Sequence, residues 1–282
     1  RTIGHALTLA QPGDEIVLTD MDPNLAQGQV MDLAHGLPFY PNVQINVGSP
    51  ADYADAHVIV ITAGSKQRPG ETRIALLQRN AQIIESIMDE IAAQGSQAVV
   101  VLVSNPVDIL TYVAQQRVNW PPGRVIGSGT VLDSSRFRYL LSQHCGVNVH
   151  NVHAYILGEH GDSEFAAWSL THVAGMHFDE YCQMCGECQD WQSEKRKIEE
   201  AVRTSAYHII DYKGATYYAV GQALVRIVSA IVRNEHSVLT VSTVLDGEYG
   251  LRGVCLGVPA MVGEAGVERV LAREGLTLVI AA

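Results

Sequence analysis

One stretch of the chain concentrates groups able to move protons. Leu157-Gly158-Glu159-His160-Gly161-Asp162-Ser163 follows a β-rich run. An imidazole titrates near neutral pH, so His160 can both give and take a proton. Its flanking glycines permit tight turns and leave the ring accessible. An ordinary loop histidine would look the same, and the chain has 11 histidines. A second group is Asp133 and Arg136, three residues apart in VLDSSRFR. That spacing puts both on one side of a helix. An Asp beside a His holds its tautomer and favours the imidazolium, while an Arg offers a planar fork to a carboxylate. A surface ion pair has the same spacing. A third segment, Ser65-Lys66-Gln67-Arg68-Pro69-Gly70-Glu71-Thr72-Arg73, is polar and holds Pro and Gly. It suits a lid that carries Arg73 inward on closure, or a plain solvated connection.

These groups need a scaffold. Three nearly continuous apolar runs, 15–19 (EIVLT), 57–62 (HVIVIT) and 98–103 (AVVVLV), read as strands buried on both faces of a parallel sheet. Helical stretches alternate with them at 1–10, 23–33 and 73–93. Such alternation predicts a doubly wound α/β domain. A shorter strand at 124–126 ends in Gly127-Ser128-Gly129, and the pattern then changes. Helix is expected over 133–145, strand over 152–157, two long helices near 194–212 and 217–234, and alternating strands at 237–244 and 253–259. A turn is expected at Asp246-Gly247. The expected organisation is residues 1–128 as a dinucleotide-binding domain and 129–282 as an α+β catalytic domain, with the site in the cleft between them.

Ligands of open parallel sheets bind beyond the carboxyl ends of the strands. There the sequence places Asp20, Ala63-Gly64, Ser104-Asn105-Pro106 and Ser128. The small residues let a ligand approach the backbone. Asp20 suits a ribose diol and would repel a 2′-phosphate, favouring NAD over NADP. A turn or helix cap is the competing reading of Asp20. The glycine-rich phosphate loop that completes the fingerprint would precede residue 1.

Composition excludes several classes. Of 282 residues, 47% are hydrophobic and 17% charged, enough for a packed core and against disorder. The net charge of −11 argues against nucleic acid and anionic membranes as partners. No apolar run approaches the ~20 residues of a membrane helix. Five cysteines make no disulfide framework, so a reducing cytoplasm is expected. Cys182, Cys185 and Cys188 are spaced C-x2-C-x2-C, with His177 the nearest fourth ligand. No second pair exists, and we expect ordinary thiols and no metal.

The segments together closely resemble the L-lactate/L-malate dehydrogenase family. The matching runs are IVLTD (16–20), MDLAHG (31–36), TAGSKQRPGETR (62–73), SNPVDILTY (104–112), VIGSGTVLDSSRFR (125–138), VHAYILGEHGDSE (152–164) and KGATYYAVG (213–221). The resemblance covers essentially the whole chain. It implies a Rossmann-like domain whose first strand and phosphate loop lie upstream, NAD as cofactor, and reversible hydride transfer between lactate and pyruvate. It makes His160 the acid/base, Asp133 its partner, Arg136 the carboxylate clamp and Arg73 the group that polarises the ketone. Asn105 then sits near the reacting oxygen and nicotinamide, and Thr216 in the substrate pocket. Ala63, Gly64, Ser104 and Ser128 line the dinucleotide, with Asp20 on its ribose. The position of Gln67 is commonly Gln in lactate and Arg in malate dehydrogenases. A neutral Gln67 leaves a second substrate carboxylate unpaired, though Arg68 is adjacent and a register shift would favour malate or broader 2-hydroxyacids. Arg138 and His153 match the anion site of bacterial members activated by fructose 1,6-bisphosphate, and the family is usually tetrameric. A non-catalytic protein on the same scaffold is the reading from another class. The absent phosphate loop alone favours it.

Overall fold

A computed structural model describes residues 2–40, 42–66, 68, 70–186 and 190–272. Helix α1 (Thr2–Ala10) leads to β1 (Glu15–Leu18). Helix α2 (Pro23–His35) starts where its sequence dictates: Asp22 caps it by accepting from Asn24 N, and Pro23 occupies the first turn. Then come β2 (Gln44–Val47), β3 (Val58–Ile61), α3 (Arg73–Ala93), β4 (Val99–Leu102), α4 (Val107–Arg117), β5 (Val125–Gly127) and α5 (Val131–Cys145). Thr72 Oγ1 caps α3 from Ala75 N at 3.1 Å. The second half holds β6 (Val152–His153), β7 (Ile156–Leu157), β8 (Phe165–Ala166), β9 (His172–Val173), β10 (Met176–His177), α6 (Phe178–Cys185), α7 (Trp191–Lys213) and α8 (Tyr218–Val232). Three strands close it: β11 (Ser237–Asp246), β12 (Arg252–Gly263) and β13 (Gly266–Val270).

The main sheet has the order β13-β12-β11-β5-β4-β3. Strands β3, β4 and β5 are parallel, and β11 joins β5 antiparallel through Ser242 and Gly127. Every residue of β4 is buried. Its alternate side chains enter two cores. Val100 and Leu102 pack with Ile84, Met88 and Ile91 of α3 and Leu110 of α4. Val99 and Val101 pack with Leu224 and Ile227 of α8. Helices thus cover both faces, as the continuous apolar runs require. A third core joins Phe137 and Leu141 of α5, Phe178 of α6 and Val202 of α7.

Two expectations need correction. Strand β1 was expected to be buried on both faces; instead Glu15 and Val17 are exposed. Among the described residues it pairs, in parallel, with β2 alone, in a two-stranded sheet apart from the main one. Its core is small, built on Val30, Val43 and Ile45. The run 152–157 is not one strand. Residues 152–153 pair with β9 and residues 156–157 with β8, so the chain changes sheets midway. Cys182 is a buried core thiol, and Cys188 lies outside the described residues.

Candidate active site

The start of α5 is fixed to the strands beside it. Thr130 Oγ1 donates to Ile156 O at 2.6 Å, and Thr130 N donates to Thr240 O at 2.9 Å. Ser134 Oγ accepts from Ile156 N at 2.9 Å and contacts Thr240 Oγ1 at 3.0 Å. The preceding turn is possible because residue 129 is glycine. Its φ is +52°, and a Cβ there would stand 2.5 Å from both Ser242 N and Thr240 O. These bonds present Asp133, 1% exposed, from the first turn of α5.

The His160 loop leaves β7 through Gly158, whose φ is +100° and whose backbone exchanges two hydrogen bonds with Gly257, at 2.9 and 2.8 Å. His160 Nδ1 then stands 2.6 Å from Asp133 Oδ2. The other oxygen of Asp133 accepts from Arg136 at 2.5 Å. An ionised carboxylate only accepts, so Nδ1 carries the hydrogen and Nε2 is left to exchange a proton. Burial pulls the His160 pKa down. The hydrogen bond and charge of Asp133, with the charges of Glu164 and Asp108, outweigh it and hold the pKa above the ordinary value. The loop is anchored from below: His160 N donates to Asp108 Oδ2 at 2.7 Å, and Ser242 Oγ donates to Asp108 Oδ1.

Four further groups line this site to which the motifs assign no role: Asp108, Glu164, Arg203 and Tyr207. Asp108 is 5% exposed and its pKa is raised by burial, against the hydrogen bonds of Ser242 and His160. Glu164 is equally buried, and a carboxylate oxygen of it lies within 4.8 Å of ligand atoms of Asp133 and His160. Burial and the Asp133 charge push the pKa of Glu164 up to about 8 against the pull of His160, Arg136 and Arg203. Helix α7 runs alongside. Arg203 Nε donates to Glu164 O at 3.3 Å, and Tyr207 donates its phenol to Asp162 Oδ1 at 2.7 Å. The sequence offered little signal for the two acids: Asp108 breaks the apolar stripe of α4, and Glu164 sits in the polar loop just before β8.

Arg73 is the exposed first residue of α3, and its charge reaches the Tyr207 phenol, which places it near the His160 loop. Gln67 lies outside the described residues. Around it, Arg68 N donates to Glu71 Oε2 at 2.9 Å, and Arg79 bonds Lys66 O at 3.1 Å and Glu71 at 2.8 Å. Thr216 is half-buried in the connection between α7 and α8.

The carboxyl ends of the strands carry the expected groups. Ser104 Oγ donates to Ala63 O, joining the ends of β4 and β3. A Cβ at Gly64 would fill space 3.8 Å from Ser104, so its absence leaves the backbone open to a ligand. Asn105 is exposed, and Ser128 N bonds Leu102 O at 2.8 Å. Asp20 is exposed beyond β1 and one of its oxygens accepts from Asp22 N at 3.0 Å; the other oxygen suits a ribose hydroxyl. Arg138 Nε donates to Val152 O at 2.8 Å, next to the exposed His153.

Comparison with known proteins agrees with this architecture. Residues 1–127 match the family model for the lactate/malate dehydrogenase NAD binding domain, and residues 130–278 match that for the alpha/beta C-terminal domain. The chain is 59% identical over 274 residues to an L-lactate dehydrogenase of Treponema denticola, covering 97% of the chain and 87% of that protein. It is 52% identical over 270 residues to one from Acetivibrio thermocellus, covering 96% and 85%. A crystal structure of a lactate dehydrogenase from a Medee basin deep-sea metagenome library superposes with a TM-score of 0.93 at 42% identity, covering 97% of this chain and 87% of that one. The minor L-lactate dehydrogenase of Enterococcus mundtii in its ligands-bound form gives 0.92 at 40% identity, covering the same shares. The chain belongs to the lactate/malate dehydrogenase family.

Proposed function

We propose that this chain is an NAD-dependent L-lactate dehydrogenase. The observation that carries the reading is the continuous chain Arg136–Asp133–His160, a carboxylate holding a substrate-clamping cation on one oxygen and a proton-carrying imidazole on the other. The division of labour runs at residue 128. Residues 1–128 hold the dinucleotide through Asp20, Ala63, Gly64, Ser104, Asn105 and Ser128, and residues 129–282 supply most of the chemistry. NAD held there would supply the hydride acceptor for C2 of lactate and, in its reduced form, the hydride donor for pyruvate.

His160 Nε2 takes the hydroxyl proton as lactate is oxidised, and Asp133 stabilises the resulting imidazolium. In reduction the same atom returns the proton to the oxygen of pyruvate. One Arg136 nitrogen is spent on Asp133, and its remaining donors bind the substrate carboxylate as a fork. Arg73 enters with the lid and stabilises the developing oxyanion. Asn105 and Thr216 complete the pocket. Gln67, neutral, makes pyruvate the preferred acid over a dicarboxylate. Arg68 beside it supports a second reading, a malate or broader 2-hydroxyacid dehydrogenase. Arg138 beside His153 supports an anion site for fructose 1,6-bisphosphate at a subunit interface of a homotetramer, in a cytoplasmic enzyme. The test is loss of NADH absorbance with pyruvate and with oxaloacetate. A higher kcat/KM for pyruvate is expected. A preference for oxaloacetate overturns the substrate reading, and NADH binding without turnover of either overturns the enzyme.

A further inference from the structure

Glu164 is a carboxyl group that the mechanism above does not use. It stands 5% exposed against the two groups on which the mechanism depends. Its surroundings include the apolar side chains of Ile156, Phe165 and Ala166. Among the described residues, no side chain or backbone group hydrogen-bonds its carboxyl.

The two cations that act on it are both engaged, and Arg73, at the exposed start of α3, acts on the Tyr207 phenol. From α5, Arg136 is already bonded to Asp133 at 2.5 Å. From α7, Arg203 contacts Glu199 at 3.5 Å and Glu200 at 3.1 Å. Tyr207 on the same helix is spent on Asp162. Glu199 of α7, which lines the same cavity, is a further acid. An ionised Glu164 would therefore add an unpaired negative charge beside Asp133, in a site with little water to solvate it. A neutral Glu164 avoids that cost. Among the described residues beside it, His160 is the group whose charge changes during turnover. An imidazolium favours ionised Glu164, and ionised Glu164 favours the imidazolium.

We propose that Glu164 is a positioning residue that acts through His160: it keeps a proton beside the Asp133–His160 pair, and Glu164 and His160 titrate as a coupled pair. The inference rests on the proposed role of His160 as the acid/base. Two interacting groups titrate in macroscopic steps that belong to the pair. With one proton left, the pair holds it either on Glu164 or on His160. The fraction with a protonated imidazole then declines gradually toward high pH. Without Glu164 the imidazole titrates alone, over a narrower range and at lower pH. The pKa of about 8 for Glu164 places this exchange where an imidazolium would otherwise be lost.

The experiment compares wild type, Glu164→Gln and Glu164→Asp. The alkaline limb of kcat/KM for pyruvate is expected to move down by about one pH unit in Glu164→Gln, the lower end of what an opposite charge at this range does. That limb should also sharpen to a single-proton form, and the acid limb for lactate oxidation should move down with it. Glu164→Asp, which keeps an acid, should retain a broadened limb. Superimposable profiles for wild type and Glu164→Gln overturn the proposal. Infrared titration of the unliganded proteins is the second readout. A protonated-carboxyl band that persists above neutral pH in wild type and is missing in Glu164→Gln is expected, and its absence from wild type also overturns the proposal. A failure of pyruvate turnover in wild type sinks the proposed function instead, and the infrared titration still decides where the proton resides.

Discussion

Asp108 and His160, 52 residues apart, are joined by a 2.7 Å bond from the His160 backbone N–H to Oδ2. The loop that carries the proton-transfer group thus hangs from a helix of the dinucleotide-side half. Ser242 occupies the other carboxylate oxygen, so three segments meet at one buried acid. Asp108→Ala removes an acceptor from two buried donors. The expected cost is about 2–4 kcal/mol of stability, from two unsatisfied groups at ~1–3 kcal/mol each with partial relaxation. The kcat for pyruvate should fall more than KM rises, since the His160 ring is displaced while Arg136 stays. Asp108→Asn should recover most of both, because an amide accepts from His160 N and donates to Ser242 Oγ. Urea unfolding with steady-state kinetics checks this. Full activity in Asp108→Ala would show that the loop needs no anchor.

The raised pKa of Glu164 carries a stability signature. In the unfolded chain the carboxyl releases its proton near 4.5, in the folded protein at about 8. Between these values the folded state binds more protons than the unfolded state, so stability falls as pH rises through the window. The contribution is fully present below the lower value and lost above the upper. Glu164→Gln has no proton to release. Its Tm relative to wild type should therefore climb from pH 4.5 to pH 8 and level off beyond. A Tm difference that is constant with pH contradicts the protonated carboxyl.

Substrate choice is expected to follow Gln67. Gln67→Arg supplies a cation for a second substrate carboxylate. The ratio of kcat/KM for oxaloacetate over pyruvate should rise by about 10–100-fold, the range of one charge-assisted hydrogen bond. A ratio that does not move would transfer the selector role to Arg68.

The anion site proposed at Arg138 and His153 predicts a response to fructose 1,6-bisphosphate that needs both side chains. His153→Gln should weaken activation while leaving basal turnover unchanged. Undiminished activation in His153→Gln removes His153 from the site.

Much of this fold was legible because the apolar runs were unambiguous. Val99, Val100, Val101 and Leu102 admit little but a central strand, and the two long helices of the second half fall within a few residues of their expected bounds. Strand β1 misled because its run of apolar residues reports composition, whereas its burial depends on neighbours across the sheet. Helix α4 went unread because buried Asp108 and Thr111 break its apolar stripe. Asp108 and Glu164 became visible only when the chain brought them to His160 from a distance in sequence or from an unremarkable loop end. His160, Asp133 and Arg136 were legible as types; that the three form one chain of contacts is a fact of the fold.

The single pairing of Ser242 with Gly127 has a consequence for how the molecule divides. The parallel strands of the first half and the antiparallel strands of the second share one continuous hydrogen-bonded ladder. A cut near residue 128 would leave each half with a raw sheet edge, and such edges recruit foreign strands. The halves should therefore not be tradable as cassettes between related chains by a cut near residue 128. The seam that matters for recombination runs through the sheet, more than a hundred residues downstream of the place where the sequence changes character.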